Sequence, residues 1–371
     1  MTIGILKEPS HETRVSLLAD AVASLTKRSI NVFIETGAGE KAFCSNADYE
    51  VAGAQLKSRE QVIHDADILL VIHAPDRDET DQLKSKILLG VYQPLYDLEM
   101  VKNWAAKNIT VFSLDMLPRT TRAQAMDVLS SQANIAGYKA VLLAANLYSR
   151  YFPMFMTAAG SIAPAKTLVL GAGVAGLQAI ATARRLGSVV EVFDTRPAVK
   201  EEVMSLGAKF IEVEGAADAS KAGGYAVEQS QEFLQRQKAR IAESIAKSDI
   251  VITTAQIPGK KAPILVTENM LNHMRNGSVI IDLAAATGGN TPVTKNNEVI
   301  HFNGVTIAGN SNLAATMPSD ASKMYGKNIL NFLQLIITKE GKINLNWEDD
   351  LVKGSCITHD GAVVHERLKG L

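Results

Sequence analysis

The segment TLVLGAGVAGLQAIATARRLG, at residues 167–187, constrains the fold of this chain more than any other. An apolar strand leads into Gly171, Gly173 and Gly176, spaced GxGxxG, and a helical stretch follows. Glycines at this spacing permit a tight turn and the close approach of a pyrophosphate, whose charge is stabilised by the amides of the helix N-terminus. The next strand, VVEVFD, ends in Asp194, at the position of the ribose-binding acid in such sites. The segment predicts a dinucleotide site. Ordinary turn chemistry and a solvated strand end are the alternatives.

The identity of the nucleotide depends on Asp194. Its carboxylate can accept hydrogen bonds from both adenosine ribose hydroxyls and would repel a 2′-phosphate, so the sequence favours NAD(H) over NADP(H). Arg196, two residues on, tempers this preference because a nearby arginine sometimes accommodates that phosphate. No metal is expected. The predicted contacts on this side of the nucleotide are Gly171, Gly173, Val174, Gly176, Asp194, Thr195 and Arg196.

Strand-like and helical stretches alternate along most of the chain, which predicts parallel α/β architecture. One series (TIGIL, INVFIE, ILLVI, ILLGVY, ITVFSL) precedes residue 134, and a second begins at 167. With 371 residues, 47% of them hydrophobic, the chain is long enough for two cores. We predict two Rossmann-like, doubly wound parallel-sheet domains separated by a cleft: residues 1–133 plus 320–371, and residues 134–319. A tail after 320 that belongs to the second domain fits the sequence equally well.

Composition excludes several classes of function. The 38 Lys and Arg balance 39 Asp and Glu, and no long block of like charge occurs, so nucleic acid is not an expected partner. Cys44 and Cys356 lack metal-binding or redox spacing, which predicts buried free thiols in a reducing compartment. Apolar runs are strand-sized, far below the roughly 20 residues that span a bilayer, so we expect a soluble, cytoplasmic chain.

The stretch PRTTRAQAMDVLSSQ, at 118–132, concentrates two arginines, two amides, a carboxylate and several hydroxyls far from the glycine turn in sequence. Such residue types donate and accept hydrogen bonds and can position a polar ligand. A second explanation is a capped helix start. In that case Thr120 or Thr121 would be the N-cap, with Asp127 and Ser130 on one exposed face.

Four segments carry a resemblance: GILKEPSHETRVSL, ETGAGEKAFCSNADYEVAGA, IPGKKAPILVTENML and GSVIIDLA are similar to the alanine dehydrogenase and proton-translocating transhydrogenase superfamily, over almost the whole chain. The 118–132 stretch resembles the transhydrogenase branch, and alanine dehydrogenases do not share it. The resemblance implies an NAD(H)-binding component that passes hydride directly between NADH and NADP⁺ bound on a partner domain. It further implies a homodimer, a membrane-spanning partner domain, and a peripheral place on the inner membrane.

The same resemblance implies the roles of individual residues. Those given to the nicotinamide side are Arg119, Gln124, Asp127 and Ser130, which with Tyr225 are the predicted catalytic residues. Thr120 and Thr121 are expected to be further cofactor contacts. Gly224 and Tyr225, in a small and polar loop at 215–230, would close over the nucleotide, with Gln237 as a further contact. Gln256 replaces the apolar residue usual in the family, although we include it among the nucleotide contacts.

The main alternative is a self-sufficient amino-acid dehydrogenase of the alanine type. Those enzymes use a Lys and a His for acid–base work, and the corresponding places here appear as His73 and Gln93. Arg14 matches their carboxylate-binding arginine but does not discriminate, because transhydrogenases keep it. An NAD(H)-sensing module without turnover is a third possibility. By the resemblance the arm 150–166 exchanges between protomers, and an internal packing strand is the other interpretation.

Overall fold

The computed structural model describes residues 1–213 and 230–370. In chain order the strands are β1 Thr2–Ile5, β2 Asn31–Glu35, β3 Gln55–Lys57, β4 Ile68–Leu70, β5 Ile87–Gly90, β6 Thr110–Ser113, β7 Phe155–Thr157, β8 Gly160–Ile162, β9 Lys166–Leu170, β10 Val189–Phe193, β11 Lys209–Phe210, β12 Ile250–Thr253, β13 Val279–Asp282, β14 Glu298–Phe302, β15 Val305–Gly309, β16 Cys356–His359 and β17 Ala362–Val363. The helices are α1 Ala19–Thr26, α2 Asn46–Val51, α3 Arg59–Asp65, α4 Leu98–Ala106, α5 Val128–Leu147, α6 Val174–Arg185, α7 Lys200–Ser205, α8 Gln231–Lys247, α9 Glu268–Asn272, α10 Pro318–Ile336, α11 Asp350–Ser355 and α12 Glu366–Lys369.

The chain divides into two compact units. The first comprises Met1–Gln132 with Ala314–Leu371, and the second comprises Ala133–Leu313. The return to the first unit at residue 314 is fixed by hydrogen bonds: Thr13 Oγ1 donates to the carbonyl of Ala315. A second such bond runs from Ser319 Oγ to the carbonyl of Ala42, at 3.0 Å. The division between the units also falls within α5.

The first unit is built on an eight-stranded sheet in the order β17-β16-β6-β5-β4-β1-β2-β3. Strands β1 to β6 are parallel, and the late strands β16 and β17 add an antiparallel edge. The chain reverses its direction of travel across the sheet between β1 and β4, where Ile3 is paired with both Val32 and Ile68. In an open parallel sheet, ligands bind outside the carboxyl ends of the strands at such a point.

Apolar residues cover both faces of this sheet, as a doubly wound fold requires. One face packs against α1 and the long helix α10, which contributes Tyr325, Ile329 and Phe332 to a single core cluster. The other face packs against α3 and α4, with Trp104 fully enclosed. Both cysteines are buried free thiols, which confirms that prediction.

The second unit has a seven-stranded sheet in the order β11-β10-β9-β12-β13-β15-β14. All pairs are parallel except the edge pair β14–β15, and the direction of travel reverses between β9 and β12. Strands β7 and β8 form a separate exposed hairpin. The predicted α/β class with Rossmann-like parallel sheets is confirmed, with antiparallel edges added. In the part of the chain that the structure describes, no helix combines the length and apolarity needed to cross a bilayer.

Candidate functional site

The glycine turn between β9 and α6 is as short as the sequence predicts. Strand β9 ends at Leu170 and α6 begins at Val174, so three residues make the connection. Gly171 has a φ of +107°, which side-chain-bearing residues rarely adopt, and its N–H donates to the carbonyl of Phe193 at 2.8 Å. A Cβ at Gly176 would lie 1.9 Å from the carbonyl oxygen of Gly171. Both positions therefore require glycine for the turn itself.

Gly173 differs from its neighbours in what surrounds it. A Cβ at this position would meet no atom within 4 Å, so the space beside the turn is open. Gly173 occupies the N-cap of α6 and brings no side-chain acceptor to the first amides of that helix, while Val174 after it is 40% exposed. Unpaired amides at a helix N-terminus favour an anion. The open space and the helix amides thus suit an anionic group such as a pyrophosphate.

Asp194 follows strand β10 and lies beside the turn, because its Oδ2 accepts from the N–H of Ala172 at 2.7 Å. Arg196 occupies the rest of the carboxylate: its backbone N–H and Nε donate to Oδ1 at 2.8 and 2.9 Å, and Nη2 donates to Oδ2 at 2.8 Å. The hydrogen bond with Asp194 raises the pKa of Arg196 above its ordinary value. Thr195, between the two, is partly buried. Sequence reasoning placed Arg196 nearby but did not predict this bidentate pair.

Some side chains of the 118–132 stretch face solvent, and others hold its backbone against the first unit. Residues Thr121–Met126 form a 3-10 helix whose Ala123 and Met126 point into the first unit. On the outside of this turn lie the exposed residues Arg119, Thr120, Thr121, Arg122 and Gln124.

The anchoring contacts come from α10 and from the start of α11. Asn328 Nδ2 and Asn331 Nδ2 donate to the carbonyl of Ala125, at 2.9 and 2.8 Å. Arg122 forms ion pairs with Asp349 and Asp350, which raise the pKa of its guanidinium. Because these contacts hold the backbone, the side chains of Arg119 and Gln124 project from a fixed support.

Asp127 is the N-cap of α5. Its Oδ1 accepts from the N–H of Ser130 at 2.9 Å, and its Oδ2 accepts from Ser130 Oγ at 2.6 Å. The alternative in which Thr120 or Thr121 caps a helix is wrong, since Thr120 makes no side-chain cap bond and a 3-10 turn follows it. The α-helix starts at Val128 because Asp127, and not a threonine, satisfies its first amides.

The first unit has its own crevice where β1 and β4 end, and charged side chains fill it. Glu12 is fully buried and accepts three hydrogen bonds from Arg14: from the backbone N–H and Nε, both at 2.9 Å, and from Nη2 at 2.7 Å. His73 Nε2 lies 2.8 Å from the same carboxylate, and Arg14 Nη1 donates to Gln132 Oε1 at 2.8 Å. Burial would raise the pKa of Glu12, but the donors Arg14 and His73 hold it well below its usual range.

Glu8 lies next to this cluster. Its Oε1 accepts from the N–H of Ile72 at 2.6 Å and its Oε2 from the N–H of His73 at 3.2 Å. Burial nevertheless raises the pKa of Glu8 to about 7. Sequence analysis singled out Arg14 and His73 but missed both glutamates, although the spacing Glu12-x-Arg14 is compatible with a local ion pair.

The acid–base positions of an alanine-type dehydrogenase are occupied differently here. His73 is bound to Glu12, and its side chain is 38% exposed. Gln93 is exposed and has a φ of +50°, and a carboxamide does not ionise near neutral pH, so it cannot act as a general acid or base. Arg14 donates to Glu12 and to Gln132, so its guanidinium is bound within the protein. At the two positions where alanine-type dehydrogenases carry a Lys and a His, the described crevice therefore has a histidine held by a carboxylate and an amide.

The remaining predicted contacts lie in the second unit or outside the described residues. Gln237, on α8, is buried, and among the described residues its Oε1 has no hydrogen-bond partner. Gln256 follows β12, is exposed, and donates from Nε2 to the carbonyl of Leu283 at 2.8 Å. Gly224 and Tyr225 lie outside the described residues. Within residues 1–213 and 230–370, no group of three or more His, Cys, Asp or Glu could hold a metal ion.

Two family models match the chain: the N-terminal domain of alanine dehydrogenase/PNT at residues 4–136 and the C-terminal domain of alanine dehydrogenase/PNT at residues 140–366. The chain therefore belongs to the alanine dehydrogenase/PNT family. Together the two matches span both compact units.

Within that family the similarity to transhydrogenases is the stronger. An NAD(P) transhydrogenase subunit alpha polypeptide of Rhodospirillum rubrum is 43% identical, over 100% of this chain and 99% of the relative. A crystal structure of transhydrogenase from Sinorhizobium meliloti has a TM-score of 0.90 at 43% identity, covering 98% of this chain and 100% of that one. Alanine dehydrogenase of Mycolicibacterium smegmatis is 26% identical over 99% of this chain and 96% of the relative. The chain is thus an oxidoreductase component of the transhydrogenase alpha-subunit type.

Proposed function

We propose that this chain is the NAD(H)-binding component of a proton-translocating NAD(P) transhydrogenase and transfers hydride directly between NADH and NADP⁺ bound on a partner domain. The observation that carries the proposal is the set of polar side chains presented by the anchored 3-10 turn Thr121–Met126, in a chain that also has a dinucleotide turn. The alternative amino-acid dehydrogenase is disfavoured because Glu12 holds both Arg14 and His73.

The chemistry of such a transfer suits these residue types. A nicotinamide supplies or accepts the hydride at its C4 carbon, and no oxygen has to be protonated. The protein then contributes orientation and exclusion of water. Gln124 can donate to and accept from a carboxamide, while Arg119 can bind the carboxamide or a phosphate. The Asp127–Ser130 pair, besides capping α5, would orient the same group.

We assign the rest of the nucleotide to the second unit. Gly171, Gly173, Val174 and Gly176 would bind the pyrophosphate, because the open space at Gly173 adjoins the first amides of α6. Asp194 and Thr195 would meet the adenosine ribose, and Arg196, which donates to Asp194, would lie beside it. Further contacts in this proposal are Thr120, Thr121, Gly224, Tyr225, Gln237 and Gln256.

A second copy of the chain is the partner that we propose for the β7–β8 hairpin. Its residues, from Phe155 to Ile162, are exposed throughout, and Tyr151 and Met154 before it are also exposed. Several large apolar side chains on one exposed arm suit a surface that is buried in a dimer. The NADP(H)-binding and membrane-spanning domains would be the other partners, which would place the chain in the cytoplasm, peripheral to the inner membrane.

The two arginines of the presented turn provide the test. Purified chain, an NADP(H)-binding transhydrogenase domain, NADP(H) and an acetylpyridine analogue of NAD are combined, and hydride transfer is followed by absorbance. We expect Arg119→Ala and Gln124→Ala to lower the rate by roughly tenfold or more, because each removes a positioning contact. Arg122→Ala is the control: it removes exposed ion pairs to Asp349 and Asp350 but leaves Asn328 and Asn331 bound to the carbonyl of Ala125, so the rate should stay within about twofold.

Failure of the wild-type chain to transfer hydride with the partner domain present would contradict the proposed function. Equal losses in Arg119→Ala and Arg122→Ala would instead contradict the assignment of the presented side chains. A thermal melt of each variant accompanies the assay, so that a loss of folding is recognised as such.

A further inference from the structure

Each oxygen of the Asp194 carboxylate accepts two hydrogen bonds. Each oxygen accepts one backbone N–H, from Arg196 to Oδ1 and from Ala172 to Oδ2. Each oxygen also accepts one guanidinium N–H of Arg196, from Nε to Oδ1 and from Nη2 to Oδ2. A carboxylate has about four acceptor sites, and here all four are used.

The two kinds of donor differ in whether a ligand could replace them. The backbone amides of Ala172 and Arg196 belong to the turn and to the end of β10, so they remain in place as long as the fold does. The guanidinium belongs to a flexible side chain that is 23% exposed, whereas the side chain of Asp194 is only 5% exposed. The replaceable donors therefore cover the carboxylate on its accessible side.

A ribose diol would need those same two acceptor sites. Its 2′- and 3′-hydroxyls are two adjacent donors, and a ribose-binding acid accepts from them with its carboxylate. Since Nε and Nη2 are two adjacent donors on the same two oxygens, the diol and the guanidinium are alternatives.

Resting on the proposed function, we propose that Arg196 is a positioning residue that sets nucleotide specificity by competing with the adenosine ribose for Asp194. Binding of NAD(H) then requires the guanidinium to leave the carboxylate. A ribose that bears a 2′-phosphate lacks the 2′-hydroxyl donor and supplies an anion to which the guanidinium can bind instead. Arg196 thus weakens the binding of NAD(H) and lessens the discrimination against NADP(H).

A second acceptor is available to the displaced guanidinium. Glu202 lies on α7, close enough for its charge to stabilise the Arg196 cation, and it is exposed. Glu202 can therefore stabilise the Arg196 cation when the ribose occupies Asp194. This alternative keeps the cost of displacement modest, as expected for a partly exposed ion pair.

The test compares nucleotides with and without the 2′-hydroxyl. Dissociation constants for NADH, NADPH, AMP and 2′-deoxy-AMP are measured by calorimetry and by NADH fluorescence, on wild type, Arg196→Ala and Arg196→Lys. We expect Arg196→Ala to bind NADH and AMP roughly three- to tenfold more tightly, because no side chain competes for Asp194. Its affinity for 2′-deoxy-AMP should change less, and its affinity for NADPH should fall.

Arg196→Lys separates geometry from charge. A lysine keeps the positive charge but has no planar pair of donors for both carboxylate oxygens. It should therefore resemble Arg196→Ala in its AMP and 2′-deoxy-AMP affinities. If Arg196→Lys resembles wild type while Arg196→Ala does not, net charge is the cause and the competition is refuted. If Arg196→Ala does not fold, the affinities of Arg196→Lys for AMP and 2′-deoxy-AMP are compared with those of wild type instead.

Two other results would overturn the inference. Weaker binding of NADH and AMP by Arg196→Ala would mean that the guanidinium contacts the bound nucleotide. Equal gains for AMP and 2′-deoxy-AMP would mean that the ribose hydroxyl has no part in the effect. No binding of NADH by any of the three proteins would contradict the proposed function itself, and this inference with it.

Discussion

The two units share a reversal of strand order beside the first strand of each sheet, but the residues that follow this strand differ in character. In each sheet the direction of travel reverses beside the first strand, between β1 and β4 and between β9 and β12. In the second unit a three-residue glycine turn leads directly into α6 and leaves open space at Gly173. In the first unit the chain runs from Leu6 to Leu18 before α1 begins, and Glu12 in this segment ties Arg14 and His73 together.

This contrast shows that strand order alone does not determine function. The strand order that both sheets share creates a crevice. The residues of the first βα connection decide whether this crevice can accept an anion or is filled by charged side chains of the protein. In the second unit, glycines expose helix amides at the turn. In the first unit, opposite charges satisfy each other within the protein, and the connection at residues 6–18 contains no glycine turn.

The stability of the first unit can be measured separately, because both tryptophans, Trp104 and Trp347, lie in it. Tryptophan fluorescence therefore reports unfolding of the first unit. NADH fluorescence reports binding, which we assign to the second unit.

Substitutions in the glycine turn should have the strongest effect. Gly176→Ala places a Cβ 1.9 Å from the Gly171 carbonyl, so we expect the second unit to lose several kcal/mol of stability and its NADH binding. Gly173→Ala is the matched control, since its Cβ meets nothing within 4 Å. It should keep the thermal stability yet weaken NADH binding by roughly tenfold or more, because the methyl group enters the pyrophosphate space. If Gly173→Ala binds NADH as tightly as wild type does, the assignment of the pyrophosphate to this turn is contradicted.

The charged crevice of the first unit should contribute to stability and not to binding. Glu12→Ala leaves the largely buried Arg14 without its carboxylate, so we expect a loss of about 3–5 kcal/mol by tryptophan-detected denaturation. NADH affinity should stay unchanged. Glu99→Ala, which removes an exposed pair with Lys102, should cost less than about 1 kcal/mol. A large fall in NADH affinity for Glu12→Ala would show that the two crevices do not differ as described.

Glu8 predicts how the first unit responds to pH. Burial raises the pKa of Glu8 to about 7 in the folded chain, from an ordinary value of 4.5, so folding favours the protonated form. The stabilisation is complete below pH 4.5 and is lost as the pH rises through 7, by about 3 kcal/mol. Glu8→Gln should remove this slope. Glu12 acts in the opposite sense at more acidic pH, because its pKa is lowered. Equal slopes for wild type and Glu8→Gln between pH 4.5 and 7 would contradict the assignment.

The weakest effect concerns the start of α5. Asp127→Ala removes the acceptor for both Ser130 groups, so we expect a loss of about 1 kcal/mol in the free energy of unfolding. Thr120→Ala should cost nothing measurable, because Thr120 makes no cap bond. Chemical denaturation of both variants gives the comparison. An equal loss in the free energy of unfolding at the two positions would show that Thr120 also caps a helix.

Sequence reasoning succeeded where the determining residues are close together in the chain. The glycine turn, its strand and its helix are one local pattern, and the structure contains each of them. Strand β3, only Gln55–Lys57, was not predicted because it is short and polar. Strand β14 was also missed, although Asn303-Gly304, with φ of +47° and +79°, is a recognisable hairpin signal.

Long-range pairing accounts for most of what the sequence did not reveal about the site. Glu12 meets His73 across 61 positions, and Arg122 meets Asp349 across 227, so no local pattern relates them. The clamp of Arg196 on Asp194 spans only two positions. It was nevertheless not predicted, because side-chain direction at a strand end depends on the packed turn beside it.

Oxidation of NADH with two kinds of acceptor distinguishes a transhydrogenase component from an amino-acid dehydrogenase most directly. One reaction contains pyruvate and ammonium, and the other contains NADP⁺ and an NADP(H)-binding transhydrogenase domain. We expect turnover only in the second, because the first unit holds His73 on Glu12 and has Gln93 where an acid would be needed. Oxidation of NADH by pyruvate and ammonium alone would contradict this expectation, and would show that the charged crevice is a catalytic site.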